Sequence, residues 1–365
     1  MRIALVSTPF IPVPPPRYGG TELVVAELAE GLVARGHDVT LFATGDSSAC
    51  VPRRALYAHA QWPPEMLPDI NHVSWALHEA AAGAFDIVHA NSASALAYWR
   101  AMQSPPLVYT LHHARDESLS SFYRFFPDAW YVAISNDQAR HEIPLPHVDV
   151  IHHGLDAAKY QWTDSPCDYL CFVGRFTDVK GPHVAIDVAA AAGVPIRVAG
   201  EVHPVDADFG SREMSHRLAA RHVTMLGSIG MDEKVPLLRD ARALLAPITW
   251  DEPFGLALIE AMLSGCPVIA FARGSVPELV ENGLTGFVVH DASEMRELVQ
   301  PESVLDQFDR GRCRARAVER FGRDRMARDY ERVYARAAGR GRTSSHLSRP
   351  ARSSRSRLLS NHHEG

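Results

Sequence analysis

The sequence predicts an α/β protein built from two doubly wound, Rossmann-like domains, each a parallel sheet wrapped in helices. Short runs rich in β-branched and aromatic residues alternate with longer helical patterns along the whole chain, the form taken by strands joined through helical crossovers. These runs fall into two sets of six on either side of a polar, proline-containing segment, DAAKYQWTDSPCD at 156–168. A length of 365 residues is enough for about two domains that each bury a core.

In order, the first set is RIALV (2–6), VTLFA (39–43), DIVH (86–89), LVYTL (107–111), WYVAI (130–134) and VDVI (148–151). The second is YLCFV (169–173), IRVAG (196–200), VTML (223–226), ALLAP (243–247), PVIAF (267–271) and FVV (287–289). The expected units are a first domain over 1–160, a second over 161–320, a helix over 321–338 that docks back on the body, and a basic tail over 339–365. The first long helix, TELVVAELAEGLVAR (21–35), is expected to use Thr21 as its N-cap and to stop at Gly36, and Pro182 suits a first helical turn. Met326, Tyr330, Val333 and Tyr334 follow an i, i+4, i+7, i+8 pattern, which predicts an amphipathic helix over 322–337 with its apolar stripe in the core. From Gly339 onward six arginines face Glu364 alone, a composition expected to stay disordered.

With 46% hydrophobic and 22% charged residues and a net charge of -6, nothing global favours a nucleic acid partner, so any bound anion must be held by local basic residues. Five scattered cysteines (Cys50, Cys167, Cys171, Cys266, Cys313) suit a reducing compartment better than a disulfide framework. Cys167 and Cys171 lack the second ligand pair that a metal site needs. The N-terminus has no signal-peptide pattern, and no run approaches the roughly 20 apolar residues of a membrane span. The expectation is a cytoplasmic protein without an integral membrane segment.

Ligands of a doubly wound fold sit at the carboxyl ends of strands. After YLCFV comes GRFTDVKG, which puts Arg175 and Lys180 on one short loop. Two such cations can clamp a diphosphate, one through a forked pair of hydrogen bonds and one as a point charge, although a solvated loop would look the same in isolation. After ALLAP comes ITWDEPFG, followed by the helix that carries Glu260. Pro253 and Gly255 bring backbone close to a ligand, and the free N–H groups of Phe254, Gly255 and Leu256 favour a negative one. Carboxylates would be repelled by a phosphate, so Glu252 and Glu260 should meet hydroxyls instead. The two could be a loop acid and a surface helix acid, but Glu260 lies amid LALI and AML, where bare burial is costly. Glu260 is five residues beyond Gly255, about 7 Å along a helix, a separation that suits a diphosphate flanked by two hydroxyl-bearing sugars.

These motifs carry a resemblance. E252-PFGLALI-E260 with AMLSGCPVIA, G174-R175-FTDV-K180-G181 and R273-GSVPE-LVENGLTGFVV resemble the retaining glycosyltransferases of family 4, which have the GT-B fold of two Rossmann-like domains facing across a cleft. In the first half YGGTE (18–22), RGHDVTLFA (35–43), FDIVHA (85–90), the His of VYTLH at 112, AIS (133–135) and HHGLD (152–156) belong to the same pattern. The resemblance runs in order from about residue 2 to about 335. It implies transfer of a sugar from a nucleotide diphosphate sugar to an acceptor hydroxyl (of a saccharide, lipid or natural product) with retention, and without a cofactor or metal.

By the same resemblance Glu260 would bind the ribose, Glu252 the donor sugar, and Arg175 and Lys180 the departing diphosphate. Gly19 and Gly20 would form a loop against the phosphates or acceptor, and His112 would lie by the transferred sugar, with adjacent His113 as its alternate. Many members have Asn-Gly before the linker where this chain has His153-Gly154, which leaves the linker conformation open. Asp206-Ala-Asp208 has the metal-holding Asp-x-Asp form of a different glycosyltransferase fold, but it follows IRVAG rather than the glutamate pair. A nucleotide-sugar 2-epimerase of the same fold and a noncatalytic nucleotide-sugar binding module are the other readings. A dinucleotide dehydrogenase is disfavoured, since no Gly-x-Gly-x-x-Gly follows a strand.

Overall fold

The structure is a computed structural model and describes residues 1–102 and 104–347, with residues 340–347 described by backbone alone. The first sheet contains β1 (Arg2–Val6), β2 (Asp38–Phe42), β3 (Arg53–Arg54), β4 (Ile87–Ala90), β5 (Leu107–Thr110), β6 (Trp130–Ala133) and β7 (Val148–Val150). It is wholly parallel, in the order β3-β2-β1-β4-β5-β6-β7. The second contains β8 (Leu170–Val173), β9 (Ile196–Ala199), β10 (Val223–Gly227), β11 (Ala243–Ala246), β12 (Val268–Phe271) and β13 (Gly286–Val289). Its order is β10-β9-β8-β11-β12-β13, again all parallel. All twelve expected strands form. The additional β3 is an edge pair of arginines, too short and too charged to read as a strand from sequence.

Both sheets reverse their order at one point, between β1 and β4 in the first and between β8 and β11 in the second. Chains leaving those strands in opposite directions open a crevice at their carboxyl ends. The loops that leave β1, β4, β8 and β11 carry Gly19, Asn91, Arg175 and Glu252, so topology alone gathers them.

Two helix expectations need correction. The first long helix spans Gly20–Ala34, with Gly19 as N-cap and no side-chain cap bond, so Thr21 lies in the first turn and does not cap it. The paired glycines cause this: a Cβ on Gly19 would sit 2.7 Å from Pro15 Cβ, and a tight turn there starts the helix early. At the other end the final helix spans Arg323–Leu347, so 339–347, expected to be disordered, is helical. Extending a formed helix costs far less than starting one, so the helix runs on through GRGRTSSHL despite its two glycines. Residues 348–365 of the basic tail lie outside the described residues.

That last helix crosses back to the first sheet. Met326, Ala327, Tyr330, Val333 and Tyr334 share a buried cluster with Leu28, Leu32, Val108 and Val132. Two hydrogen bonds fix its register, Tyr330 Oη with Thr110 Oγ1 at 2.9 Å and Tyr334 Oη with His89 Nδ1 at 2.7 Å, and the two sheet residues are themselves linked, His89 Nε2 with Thr110 Oγ1 at 2.8 Å. A second tie runs through Glu278, beyond β12, which accepts from the backbone N–H groups of Asn136 at 2.9 Å and Asp137 at 3.2 Å and pairs with His152. Burial alone would raise the Glu278 carboxyl, but His152 and those amides hold it down to about 2. The two halves are therefore joined by the last helix and by the Glu278 contacts.

Candidate active site

Between the sheets lies a cleft of about 800 Å³, lined by Gly19, Gly20, Glu22, His112 and His153 on one side and by Arg175, Lys180, Lys234, Glu252, Phe254, Gly255, Leu256 and Glu260 on the other. The structure thus brings together every residue that the sequence placed at the site.

The second wall is built from the loops after β8 and β11. Thr249 N donates to Val179 O at 3.0 Å, which draws the Lys180 loop onto the ITWDEPFG loop. Lys180 Nζ then meets Glu252 Oε2, and Trp250 Nε1 donates to the same oxygen at 2.8 Å. The Lys180 ammonium also lies 5.2 Å from the centroid of the Trp250 ring. Glu252 is buried, and its Oε1 has no hydrogen-bond partner among the described residues. Gly255 turns the chain into the helix Leu256–Leu263 with φ 88, a left-handed conformation that glycine adopts without strain. No carbonyl takes up the N–H groups of Phe254, Gly255 or Leu256 among the described residues, so this helix start can receive an anion.

Glu260, one turn further along, has only 3% of its surface exposed. Lys234 Nζ lies 2.5 Å from its Oε1, and Tyr160 Oη donates to that oxygen at 3.0 Å. Oε2 has no partner among the described residues. The two acids therefore share one arrangement, in which an ammonium and an aromatic N–H or O–H hold one oxygen and leave the other free. Arg175 makes no ion pair among the described residues, and its Nε is buried without a partner.

The first wall is different in kind. Glu22 is buried and has no cation beside it among the described residues, and Thr8 Oγ1 donates to its Oε1 at 2.6 Å. Burial raises its pKa above the ordinary value. His112 Nε2 lies 2.8 Å from Asn91 Oδ1, while Asn91 Nδ2 donates to Val6 O at 2.9 Å. That second bond orients the amide, so His112 carries its proton on Nε2 and Nδ1 is left as an acceptor. Burial, and then the neighbouring His113, push the His112 pKa down to about 3, so the ring is neutral at physiological pH. His113 is turned to Tyr123 Oη at 2.6 Å and does not line the cleft.

The walls meet at His153. Its ring stacks on His112 with centroids 5.5 Å apart and meets Phe254 edge-on at 4.7 Å. The residue that departs from the usual Asn is thus a buried aromatic bridge between the walls. Gly20 makes a second meeting point, since a Cβ there would lie 3.2 Å from Leu256 Cδ1 and would need that side chain to give by a few tenths of an ångström.

Lys234, Tyr160, Trp250, Asn91 and Glu22 were not singled out from sequence. Trp250 and Glu22 lie inside quoted motifs, whereas Lys234 and Tyr160 reach Glu260 from a separate helix and from the linker, with no local spacing to reveal them. Asp206 and Asp208 lie on short turns, Pro204–Asp206 and Ala207–Phe209, and neither lines the cleft. Among the described residues no group of three acidic, His or Cys side chains could hold a metal ion, and no helix is long and apolar enough to cross a membrane.

Comparison with known proteins agrees with this geometry. The family model described as "Glycosyltransferase Family 4" matches residues 18–159, and "Glycosyl transferases group 1" matches residues 163–300. The chain is 25% identical over 392 residues to spore coat protein SA of Bacillus subtilis, covering 92% of this chain and 99% of that protein. It is 31% identical over 210 residues to D-inositol 3-phosphate glycosyltransferase of Mycobacterium tuberculosis, a match that spans 51% of this chain and 43% of that relative. Among solved structures it resembles AviGT4, a glycosyltransferase involved in avilamycin A biosynthesis, with a TM-score of 0.70, 24% identity and coverage of 93% of this chain and 98% of that one. It also resembles Anabaena Alr3699/HepE, solved in complex with UDP and glucose, with a TM-score of 0.73, 20% identity and coverage of 91% and 99%. Two family models in tandem, over residues 18–159 and 163–300, establish that the chain belongs to the family 4, group 1 glycosyltransferases, and the solved structures share its two-domain GT-B fold.

Proposed function

We propose that the protein transfers a sugar from a nucleoside diphosphate sugar to an acceptor hydroxyl with retention of anomeric configuration. The observation that carries this reading is the pair of buried glutamates, each with one oxygen restrained and one free, flanking a helix start with unpaired amides and a free Arg175. An anion bound at those amides lies between the acids. Glu260 then takes the ribose and Glu252 the transferred sugar, while Arg175 and Lys180 face the diphosphate.

As the bond from the sugar C1 to the phosphate oxygen breaks, the departing diphosphate gains charge. Preorganised donors there lower the barrier, by about 3 kcal/mol for a single such group. The acceptor oxygen forms the new bond to C1 from the same face, and its proton passes to the leaving phosphate oxygen. Neutral His112, its Nδ1 unprotonated, can accept from a hydroxyl of the transferred sugar but adds no charge. Arg175 and Lys180 supply the positive charge in this scheme, so no divalent metal is needed. The cited Anabaena relative was solved with UDP-glucose, which makes that donor the first to try.

The test is a proton NMR time course with UDP-, GDP-, ADP- and dTDP-sugars and a panel of hydroxyl acceptors, with and without EDTA. Free nucleotide and a glycoside of unchanged anomeric configuration support the reading. Donor consumed to a 2-epimer without any acceptor would make the protein an epimerase. Tight donor binding without turnover would make it a binding module, and inverted product or activity lost in EDTA and restored by manganese would overturn the mechanism.

A further inference from the structure

Both acids of the donor wall are held by one lysine and one aromatic donor, but the two grips differ in origin. Around Glu252 the partners come from neighbouring loops, since Trp250 is two residues away. Around Glu260 they come from afar: Lys234 from the helix Met231–Asp240 and Tyr160 from the segment joining the two sheets.

We propose that Lys234 and Tyr160 are positioning residues for nucleotide recognition, which saturate Glu260 Oε1 and so present Oε2 to the ribose hydroxyls. The inference rests on the donor reading above and adds the residues on which ribose selectivity depends. A carboxylate flanked by Leu258, Ile259, Met262 and Leu263 has two equivalent oxygens, either of which can turn to the cleft unless donors fix one. Two donors on one oxygen remove that freedom. Tyr160 is itself fixed: its ring is buried, and its carbonyl accepts from Arg314 Nη1 at 2.6 Å. Burial, and then the Glu260 charge, push its hydroxyl well above its usual pKa, so it remains a donor. Lys234 supplies the compensating charge, without which a buried carboxylate is costly. A pair that served stability alone gains nothing from leaving Oε2 bare on the cleft side, where Glu260 and Lys234 both contribute to the lining.

The test is calorimetry on the full chain with whichever of UDP, GDP and ADP binds tightest and with its 2′,3′-dideoxy counterpart. The wild type should prefer the ribose form by about tenfold or more, the worth of hydrogen bonds to a charged acceptor. Lys234→Met should weaken the ribose form about tenfold, leave the dideoxy form unchanged and so abolish the preference, while Lys234→Arg should retain most of it. Tyr160→Phe keeps the ring packing and loses only the hydroxyl. It should cut the preference about threefold while melting like the wild type. A wild-type preference that survives in Lys234→Met, or in a Tyr160→Phe variant of normal melting temperature, overturns this inference alone. Equal weakening of both nucleotides by Lys234→Met also overturns it, because the lysine would then touch the nucleotide directly or act only through stability. A wild type that binds nucleotide without preferring ribose overturns the placing of ribose at Glu260, and this inference with it.

Discussion

The two walls of the cleft handle polar groups in opposite ways. In the second domain each buried acid is matched by a lysine, so charge is retained and held in place. In the first, Glu22 has a hydroxyl for company, and His112 and His153 are kept neutral by desolvation. In the proposed reaction a wall that grips a dianion and two sets of hydroxyls needs charges whose positions do not change on binding. A wall beside the reacting sugar gains more from neutral acceptors, which hold hydroxyls without competing for the charge that develops on the leaving group. The difference predicts that pH and mutation act on the two walls in opposite senses.

The largest expected effect is acid lability of the neutral side. In the unfolded chain His89, His112 and His153 take up protons near pH 6.5. Folded, His89 and His112 do so only near 3, and His153 well below its ordinary value, in each case chiefly through burial. Below pH 6.5 the unfolded state thus binds more protons, and stability falls as pH falls, each histidine contributing about 1.4 kcal/mol per pH unit. Urea unfolding should show a loss of about 5 kcal/mol between pH 7 and pH 5. Equal stability at the two values would mean that the three rings are not desolvated as described.

The next effect divides the charged wall. Glu260→Gln should weaken free nucleoside diphosphate by about 1.5–3 kcal/mol. Glu252→Gln should leave that affinity intact or tighten it, since it releases Lys180 for the diphosphate, while lowering turnover. Binding by calorimetry and initial rates by nucleotide release separate the two. Matching losses of nucleotide affinity would end the division of labour between the acids.

The smallest effect contrasts the walls directly. The Glu22 pKa is raised on folding, so above about pH 4.5 the folded chain binds more protons than the unfolded one, and stability declines as pH rises toward the folded value. Glu22→Gln removes that cost and should raise stability at pH 8, on the order of 1 kcal/mol. Glu260→Gln strands Lys234 and should lower it. Thermal melts of both variants with the same sign would erase the contrast.

What was legible in sequence follows the range of the interaction. Strands and their order of appearance are local: five residues of VTLFA or LVYTL report their own burial through composition. Arg175 and Glu252 were legible because a doubly wound sheet places every strand end on one side, whereas His112 was legible only through the family resemblance. Thr21 failed as a cap because the two glycines before it let the chain turn against Pro15. The helix end near 338 failed because continuing a helix needs no further apolar stripe.

The sequence by itself determined the α/β class, twelve of the thirteen strands and four of the charged groups at the cleft, Arg175, Lys180, Glu252 and Glu260, because each is carried by periodicity or by a short motif. Only the tertiary structure decided how those groups are paired. Lys180 turns to Glu252, Lys234 and Tyr160 turn to Glu260, and His153 stacks on His112 and meets Phe254 edge-on. The physical reason is distance along the chain: these partners meet across folded loops, where burial makes an unpaired charge costly and selects the one neighbour able to satisfy it.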